Sequence, residues 1–425
     1  MFKSFSATLV MVAGALVTSA HAGGQGRPAG DDAAVITEWN AIAEGAIPTS
    51  AGPVLARSYS MMHIAMFDAV NSIEGGYQAY RVRLPASRFG SSEAAAAQAA
   101  HDVLVSLHPA GTANYDAALA ARLATIPAAR AQYGAQVGRE VAKRVLQWRL
   151  NDGWETPQSY TPPALPGLWQ PTPPNFPAAT FVQAGDSKPL AVPTPHYFMA
   201  RRPPALNSQE YADAVNEIKE IGGATSAVRT AEQTLQARLW ASVGYSTNWG
   251  GAWNQVARDL ARSRKLSIVD SARLFALLNV SIQDAVHTAQ AGKYVFQTWR
   301  PVHAIRRADE DMNAGTTADP SWLPLLTTPP YPSYMGNMAC IGASAARSLK
   351  LYFGRDDIGF TVQWTGIAPN ADVARPFTGF WQLAEHQAAS REYGGIHFHF
   401  DSTASQEACP KVAEYVYSNY MRPRH

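Results

Sequence analysis

Cysteine, charged residues and long apolar runs are all scarce in this sequence. Its 425 residues include only 2 cysteines, and charged residues form 16% of the chain with a formal net charge of +2. Two cysteines cannot form a zinc cluster by themselves, and no basic run or basic–aromatic patch suits nucleic acid. Apolar residues nevertheless make up 47% of the chain, which is enough for a sizeable core.

The one apolar run that stands out lies near the N-terminus. Lys3 precedes apolar residues from about Ala7 to Val17, and Ala20-His21-Ala22 fits a small-x-small cleavage site. The run is too short to span a bilayer comfortably, and no later stretch approaches the length of a transmembrane helix. We therefore predict a signal peptide cleaved after Ala22, no membrane span in the mature chain, and a periplasmic or secreted location.

The residue pattern leaves the disulfide state and the oligomeric state open. Cys340 and Cys409 could form a disulfide in an oxidising compartment, but two buried thiols are the slightly favoured interpretation. A helical protein of this size could be a monomer or a homodimer. Neither the pairing nor the oligomeric state can be derived from the residue pattern.

Apolar patterns with helical spacing cover most of the chain, whereas strand signals are rare and short. We predict an all-α protein with two helical bundles and a long loop, rich in proline and aromatic residues, between them. This loop is expected to wrap over the helical body and to edge a pocket. The regions are a signal peptide (1–22), an N-terminal helical region (23–153), the wrapping loop (154–206) and a C-terminal bundle (207–425). The predicted helices cover about 34–47, 54–73, 91–108, 112–123, 128–150, 208–221, 226–243, 250–263, 267–291, 334–353 and 405–421.

A short segment near the C-terminus concentrates candidate functional side chains. Helical spacing places Arg391 in the last turn of a helix, which Gly394-Gly395 would end with a left-handed cap. Apolar residues and histidines then alternate from Ile396 to Phe400. This geometry would aim the Arg391 guanidinium and the His397 imidazole at one point, where arginine suits an oxyanion and histidine suits a metal or proton transfer. A helix-ending loop whose histidines bond to backbone is equally compatible.

A second pair of cations precedes that segment. Lys293 and Arg300 are seven residues apart, which on a helix is two turns and one face, and Pro301 would end or kink that helix. Burying cations among apolar and aromatic residues is costly unless an anion compensates. Pairing with carboxylates such as Asp284 or Glu385 is the alternative, which spacing alone favours. With Arg391 and His397, these cations would otherwise hold a tetrahedral oxyanion such as phosphate or vanadate.

These segments resemble a known family, the vanadium-dependent haloperoxidases with the related type 2 phosphatidic acid phosphatase superfamily, in their bacterial exported branch. The resemblance rests on Lys293-x6-Arg300-Pro301, on Thr328-Pro329-Pro330-Tyr331-Pro332-Ser333-Tyr334, and on Ser390-Arg391-x3-Gly395-x-His397. Further matching stretches are 63–71, 151–153, 169–174 and 393–398, so the resemblance covers most of the mature chain. It implies vanadate as cofactor, or phosphate in the same site. The implied substrates are hydrogen peroxide with a halide, or a phosphate ester.

The resemblance implies a role for each matching residue. Lys293, Arg300 and Arg391 resemble the cations that hold the oxyanion, and Lys293 would also polarise bound peroxide. His397 resembles the axial vanadium ligand of the peroxidases and the nucleophile of the phosphatases. Asn337 would supply a backbone N–H donor. Tyr331 also corresponds to the position at which the family has an aromatic residue or histidine near the halide site, although this match is weak.

The family's middle motif is incomplete in this chain. Where the family has Pro-Ser-Asn-His, the ungapped alignment places Met335-Gly336-Asn337-Met338. A register that uses Ser333 instead would displace the proline-rich match before it. The acid/base histidine thus becomes Met338, which cannot transfer a proton. Losing such a group typically removes roughly two to four orders of magnitude in rate.

Three nearby groups could replace the missing histidine, although each is a weak candidate. His399 is expected to share a strand face with His397 but to lie farther along, while His303 and Asp401 are interpreted as structural. Three functions therefore stay open. They are a vanadium haloperoxidase, an acid phosphatase that uses His397 as nucleophile, and a non-catalytic anion-binding or interaction protein.

Overall fold

Helices account for most of the fold in this computed structural model, which describes residues 32–47, 52–241, 250–367 and 371–424. The expected signal peptide lies outside these residues. The α-helices are α1 (Ala34–Ala46), α2 (Gly52–Glu74), α3 (Ser92–Leu107), α4 (Thr112–Leu123), α5 (Ala128–Arg149), α6 (Gln209–Ile221), α7 (Ala231–Leu239), α8 (Gly251–Ser263), α9 (Ile268–Phe296), α10 (Pro301–Arg306), α11 (Asn337–Phe353), α12 (Phe380–Tyr393), α13 (His399–Ala408) and α14 (Pro410–Asn419). No helix among the described residues is long and apolar enough to cross a membrane.

The all-α prediction is confirmed, with one small exception. Strands β1 (Phe360–Ile367) and β2 (Ala371–Phe377) form an antiparallel hairpin. Within β1 the side chains alternate, since Val362 and Trp364 are buried whereas Thr361 and Thr365 are exposed. This period of two was present in the sequence, but it is too short to stand out beside the long helical patterns.

Helix α9 lies at the centre of the fold. Its side chains are buried on every face along most of its length, as expected of a helix with apolar residues all round. It packs against α2, α11 and α14, and its inner residues contribute to both hydrophobic clusters of the core. Residues Asp32–His425 form one compact unit, so the division of the mature chain at 153 and 206 stays a prediction.

The wrapping loop is anchored to α9. Between 154 and 206 the chain forms no α-helix or strand, apart from a 3-10 turn at Val182–Gly185. Asp284 of α9 accepts hydrogen bonds from the backbone N–H groups of Leu190, Ala191 and Val192, at 2.6, 2.7 and 2.8 Å. These contacts commit Asp284 to the loop, so the alternative that it pairs with Lys293 or Arg300 is wrong.

The prediction that Lys293 and Arg300 lie on one helix is also wrong. Helix α9 ends at Phe296, and Gln297 follows in the left-handed region with a φ of 53°. Arg300 precedes α10, whose first residue is Pro301. Proline at the first helical position starts a helix because it lacks only an N–H that has no partner there anyway.

The two cysteines form a disulfide, so the slightly favoured interpretation of free thiols is wrong. Cys340 and Cys409 have Cα atoms 5.2 Å apart, and both are fully buried. The bond ties the first turn of α11 to the junction between α13 and α14. The predicted helix at 405–421 is two helices in the structure. The first begins earlier, at His399, and the second begins at Pro410.

Candidate functional site

Arg391 and His397 are brought together by the end of α12. Arg391 occupies the last turn, and the N–H of Ile396 donates back to its carbonyl at 3.1 Å. Gly395 has a φ of 71°, and a Cβ there would lie 2.1 Å from the Gly222 carbonyl oxygen. Only glycine fits this turn. The predicted glycine turn is therefore present, and Arg391 and His397 line the same pocket.

Lys293 lies in the last turn of α9 and is fully buried. Its Nζ donates to the carbonyl oxygens of Pro332, Ser333 and Met335, at 3.0, 2.8 and 2.5 Å. An ammonium group has three protons, so all of its donors are used. Lys293 thus holds the 332–335 segment and contributes positive charge to the site, although burial and the nearby Arg300 lower its pKa.

Arg300 is also fully buried and bridges two loops. Its Nε donates to the Tyr331 carbonyl at 2.8 Å, and its Nη1 donates to the Ile396 carbonyl at 2.7 Å. The same Nη1 lies 3.0 Å from Nε2 of His397, while Nη2 has no hydrogen-bond partner. Burial lowers the pKa of Arg300 to about 10, so the guanidinium stays charged at neutral pH.

His397 is held as a neutral imidazole in one tautomer. Burial, followed by the charges of Arg300, Lys293 and Arg391, lowers its pKa well below the usual value. Its Nδ1 lies 2.8 Å from the Oδ2 atom of Asp401. Because Arg300 can only donate, Nε2 must be an acceptor and Nδ1 must carry the proton. The lone pair that could bind a metal therefore belongs to Nε2.

Asp401, interpreted from the sequence as structural, is the direct partner of His397. Its Oδ2 also accepts from Ser333 Oγ at 2.5 Å and from the Phe398 N–H at 3.1 Å. Burial raises the pKa of Asp401 to about 6, against the effect of the Ser333 hydrogen bond. The two residues are four apart in the sequence, but that spacing alone does not distinguish a partner of His397 from an aspartate that caps its own helix.

The other two candidate substitutes for the missing histidine lie elsewhere. The side chain of His399 is exposed, and its Nδ1 pairs with Glu392 at 3.1 Å. The expected strand face shared with His397 is wrong, since His399 begins α13. His303 is buried on α10 and does not line the pocket described next. Burial lowers its pKa to about 4.

A cavity of about 570 Å³ is lined by Arg391 and His397, whereas Lys293 and Arg300 are not among its lining residues. Asn337, the first residue of α11, lines it next to Met338, and the Asn337 amide is buried without a hydrogen-bond partner. Free N–H groups and the positive end of the helix dipole favour an anion at such a terminus. The lining residues are Gly52, Thr180, Phe181, Trp240, Ala241, Leu326, Thr327, Thr328, Pro329, Pro330, Tyr331, Asn337, Met338, Arg391, Ile396 and His397.

Tyr331 lies between the pocket and the buried cations. Its ring centre is 5.0 Å from Lys293 Nζ and 5.0 Å from the Arg300 guanidinium carbon, distances at which the ring attracts a cation. The remaining carboxylate proposed as a partner for these cations, Glu385, accepts from the Trp381 indole instead. Tyr331 therefore packs against the cation cluster, as well as lining the pocket.

The charges at this site do not balance. In the described part of the chain, Asp401 is the carboxylate whose charge acts on Lys293 and Arg300, while Arg391 is influenced by Tyr331 and Arg300. Arg300 Nη2 and Arg391 Nη1 are buried donors without partners. Unpaired buried donors and excess positive charge are costly unless an anion accepts from them. Among the described residues, no group of three or more His, Cys, Asp or Glu could hold a metal cation.

The family model that matches this chain covers its C-terminal third. Residues 273–425 match the family model described as the VCPO second helical-bundle domain. Over 282 residues the chain is 29% identical to the vanadium chloroperoxidase of Curvularia inaequalis. That match covers 51% of this chain and 45% of the relative, so it spans less than half of the relative's length.

Solved structures extend the likeness to nearly the whole chain. A bacterial vanadium-dependent iodoperoxidase aligns with a TM-score of 0.77 over 92% of this chain and 95% of its own, at 21% identity. Residues 273–425 match a domain of the vanadium haloperoxidases, and the chain shares the fold of these enzymes. A bacterial vanadium-dependent chloroperoxidase in its holo form aligns with a TM-score of 0.72 over 88% of this chain and 93% of its own, at 17% identity. At these identities the structural likeness concerns the fold.

Proposed function

We propose that the pocket binds vanadate and that the protein is a vanadium-dependent haloperoxidase, which oxidises a halide with hydrogen peroxide. The observation that carries this proposal is the uncompensated positive charge around the neutral Nε2 of His397. An oxyanion in the pocket would accept from Arg391 Nη1, which has no partner, and at His397 Nε2 it would lie beside Arg300, whose Nη1 is 3.0 Å from that nitrogen and whose Nη2 is also unpartnered. Phosphate has the same shape and would compete for the same donors.

Each residue has a defined task in this proposal. His397 offers Nε2 as the metal ligand, and Asp401 keeps the proton on Nδ1, 2.8 Å away. Ligation requires Arg300 to give up its 3.0 Å contact with Nε2, while its bonds to the Tyr331 and Ile396 carbonyls hold it in place. When bound, vanadate supplies a Lewis acid that activates hydrogen peroxide. Lys293 adds charge from behind the 332–335 segment.

Proton transfer is the step that this chain is poorly equipped to perform. Met338 lines the pocket at the position where the family motif has histidine. The titratable residues of the lining are Tyr331, Arg391 and His397. Arginine is a poor acid at neutral pH, and His397 is assigned to the metal. We therefore propose that solvent delivers the protons. Turnover should then be slower than in a complete site by roughly two to four orders of magnitude.

One observation favours a phosphatase as the second candidate. The 2.8 Å contact of Asp401 with His397 Nδ1 orients the imidazole as a nucleophile, whose Nε2 could attack a phosphate ester. The Met338 substitution favours a third candidate, a site that binds oxyanions without turnover. Both candidates use the same cations, so binding alone does not separate them from the haloperoxidase.

The decisive experiment measures binding and two activities on one preparation. Vanadate and phosphate affinities are measured by equilibrium dialysis, and halide oxidation is assayed with chloride, bromide and iodide, with and without added vanadate. Vanadate-dependent halide oxidation supports the proposal, and its absence contradicts it. Ester hydrolysis that vanadate inhibits would support the phosphatase instead. Tight binding without either activity would support the non-catalytic site.

A further inference from the structure

Met338 combines a buried position with access to the pocket. It is the second residue of α11, its exposed fraction is 5%, and it lines the same cavity as Arg391 and His397. Its Sδ lies 3.6 Å from the Nε2 of Gln387. A thioether sulfur is a soft nucleophile that peroxides oxidise, and the 570 Å³ cavity has room for a molecule as small as hydrogen peroxide beside it.

The amide of Gln387 is oriented toward the sulfur. The indole N–H of Trp253 donates to Gln387 Oε1 at 2.8 Å. Because an indole nitrogen can only donate, the atom that it contacts must be the amide oxygen, and the NH₂ group must face Met338. A sulfoxide oxygen is a much better acceptor than a thioether sulfur, so this fixed donor would stabilise the oxidised side chain.

We propose that Met338 is a modification site, oxidised to the sulfoxide by hydrogen peroxide within its own pocket and ahead of the exposed methionines. The inference rests on the proposed function, because it requires peroxide to be activated in this pocket. A lone pair of Sδ attacks one peroxide oxygen, an S–O bond forms and the O–O bond breaks. Sulfur loses two electrons, and the departing hydroxide takes the proton of the transferred hydroxyl group to become water.

Oxidation of Met338 would change the polarity of the cavity in which vanadate is proposed to bind. The sulfoxide would add an acceptor oxygen to the lining of the cavity that Met338 shares with Arg391, whose Nη1 has no partner. This oxygen would compete with the oxyanion for donors of the cavity. The loss of one charge-assisted hydrogen bond would lower vanadate affinity roughly 10- to 150-fold.

The test uses the full-length protein and other methionines of the chain as internal controls. The protein is treated with hydrogen peroxide, with and without vanadate and without halide, and each methionine peptide is followed by mass spectrometry. Met312 is 88% exposed, and Met335 is fully buried with its sulfur against Gly292. Without vanadate, Met312 should be oxidised first, because exposure then governs the rate. With vanadate, Met338 should overtake Met312 while Met335 stays intact.

The outcomes separate this inference from the proposed function. Met312 leading under both conditions, in a protein that binds vanadate, overturns only the assignment of Met338. Failure to bind vanadate in equilibrium dialysis overturns both. In a second arm, the Met338→Leu variant should keep its own starting vanadate affinity after peroxide treatment, whereas the wild-type affinity should fall roughly 10- to 150-fold. An equal loss in both proteins would place the damage elsewhere.

Discussion

Replacing Arg391 with methionine separates a binding role from a structural role. Arg391 lines the pocket, its Nη1 is unpartnered, and burial lowers its pKa to about 10 without removing its charge at neutral pH. Methionine keeps most of the side-chain volume and removes the charge. If the guanidinium serves an oxyanion, the Arg391→Met variant should bind vanadate more weakly without losing stability.

The expected magnitude follows from the contact that is lost. A hydrogen bond to a charged group contributes about 1.5–3 kcal/mol, so vanadate affinity should fall roughly 10- to 150-fold. The unliganded protein, by contrast, loses an uncompensated cation next to Arg300 and Lys293. Removing such a charge is neutral or favourable. The urea midpoint of the unliganded Arg391→Met variant should therefore equal or exceed that of the wild type.

Arg273 provides the matched control. It is a buried arginine whose Nε donates to the Met421 carbonyl at 2.7 Å, and its guanidinium lies 4.9–5.6 Å from the ring centres of three tyrosines. The Arg273→Met variant should lose about 1–3 kcal/mol of unfolding free energy and keep its vanadate affinity. The reasoning is refuted if Arg391→Met shows the pattern of this control.

Three further predictions follow from other contacts. The Met338→His variant should oxidise halide roughly 10²–10⁴-fold faster, and an unchanged rate would contradict the alignment of the middle motif. Replacing both Cys340 and Cys409 by alanine should lower the free energy of unfolding by about 4 kcal/mol, because the bond spans 69 residues; an unchanged urea midpoint would argue against it. Burial lowers the pKa of His63 to about 3 and of His303 to about 4. Between pH 6.5 and these values, each histidine is protonated in the unfolded chain but neutral in the folded protein. Each should therefore lower stability by about 1.4 kcal/mol per pH unit as the pH drops from 6.5 towards 4. The loss of stability between pH 7 and pH 5, measured by urea unfolding, should be smaller in the His303→Gln variant than in the wild type, a comparison in which the opposite contribution of Asp401 cancels.

The helices were largely predictable because their signal is local. Apolar spacing located α2, α3, α5 and α12 to within a few residues, and the glycine pair after α12 correctly indicated a left-handed turn at Gly395. The predictions were wrong where one residue type is compatible with either end of a helix. Pro301 can end one helix or start the next, and the structure shows that it starts α10.

The side chains that surround His397 were only partly predictable. Motif spacing indicated Lys293, Arg300, Arg391 and His397, which the structure brings to one region from four separate segments. Spacing could not reveal that Asp401 binds the imidazole, since a helix-start aspartate caps its own helix in most proteins.

The sequence by itself determined the helical class and indicated the three cations and one histidine of the candidate site, because each depends on residue identity or short-range spacing. Its resemblance to the family indicated the replacement of the acid/base histidine by Met338. Only the tertiary structure decided how their donors are used. It commits every proton of Lys293 to backbone carbonyls, leaves Arg300 Nη2 and Arg391 Nη1 free of partners, and pairs Cys340 with Cys409. Hydrogen-bond partners depend on atoms that are distant in the chain, and local patterns carry no information about them.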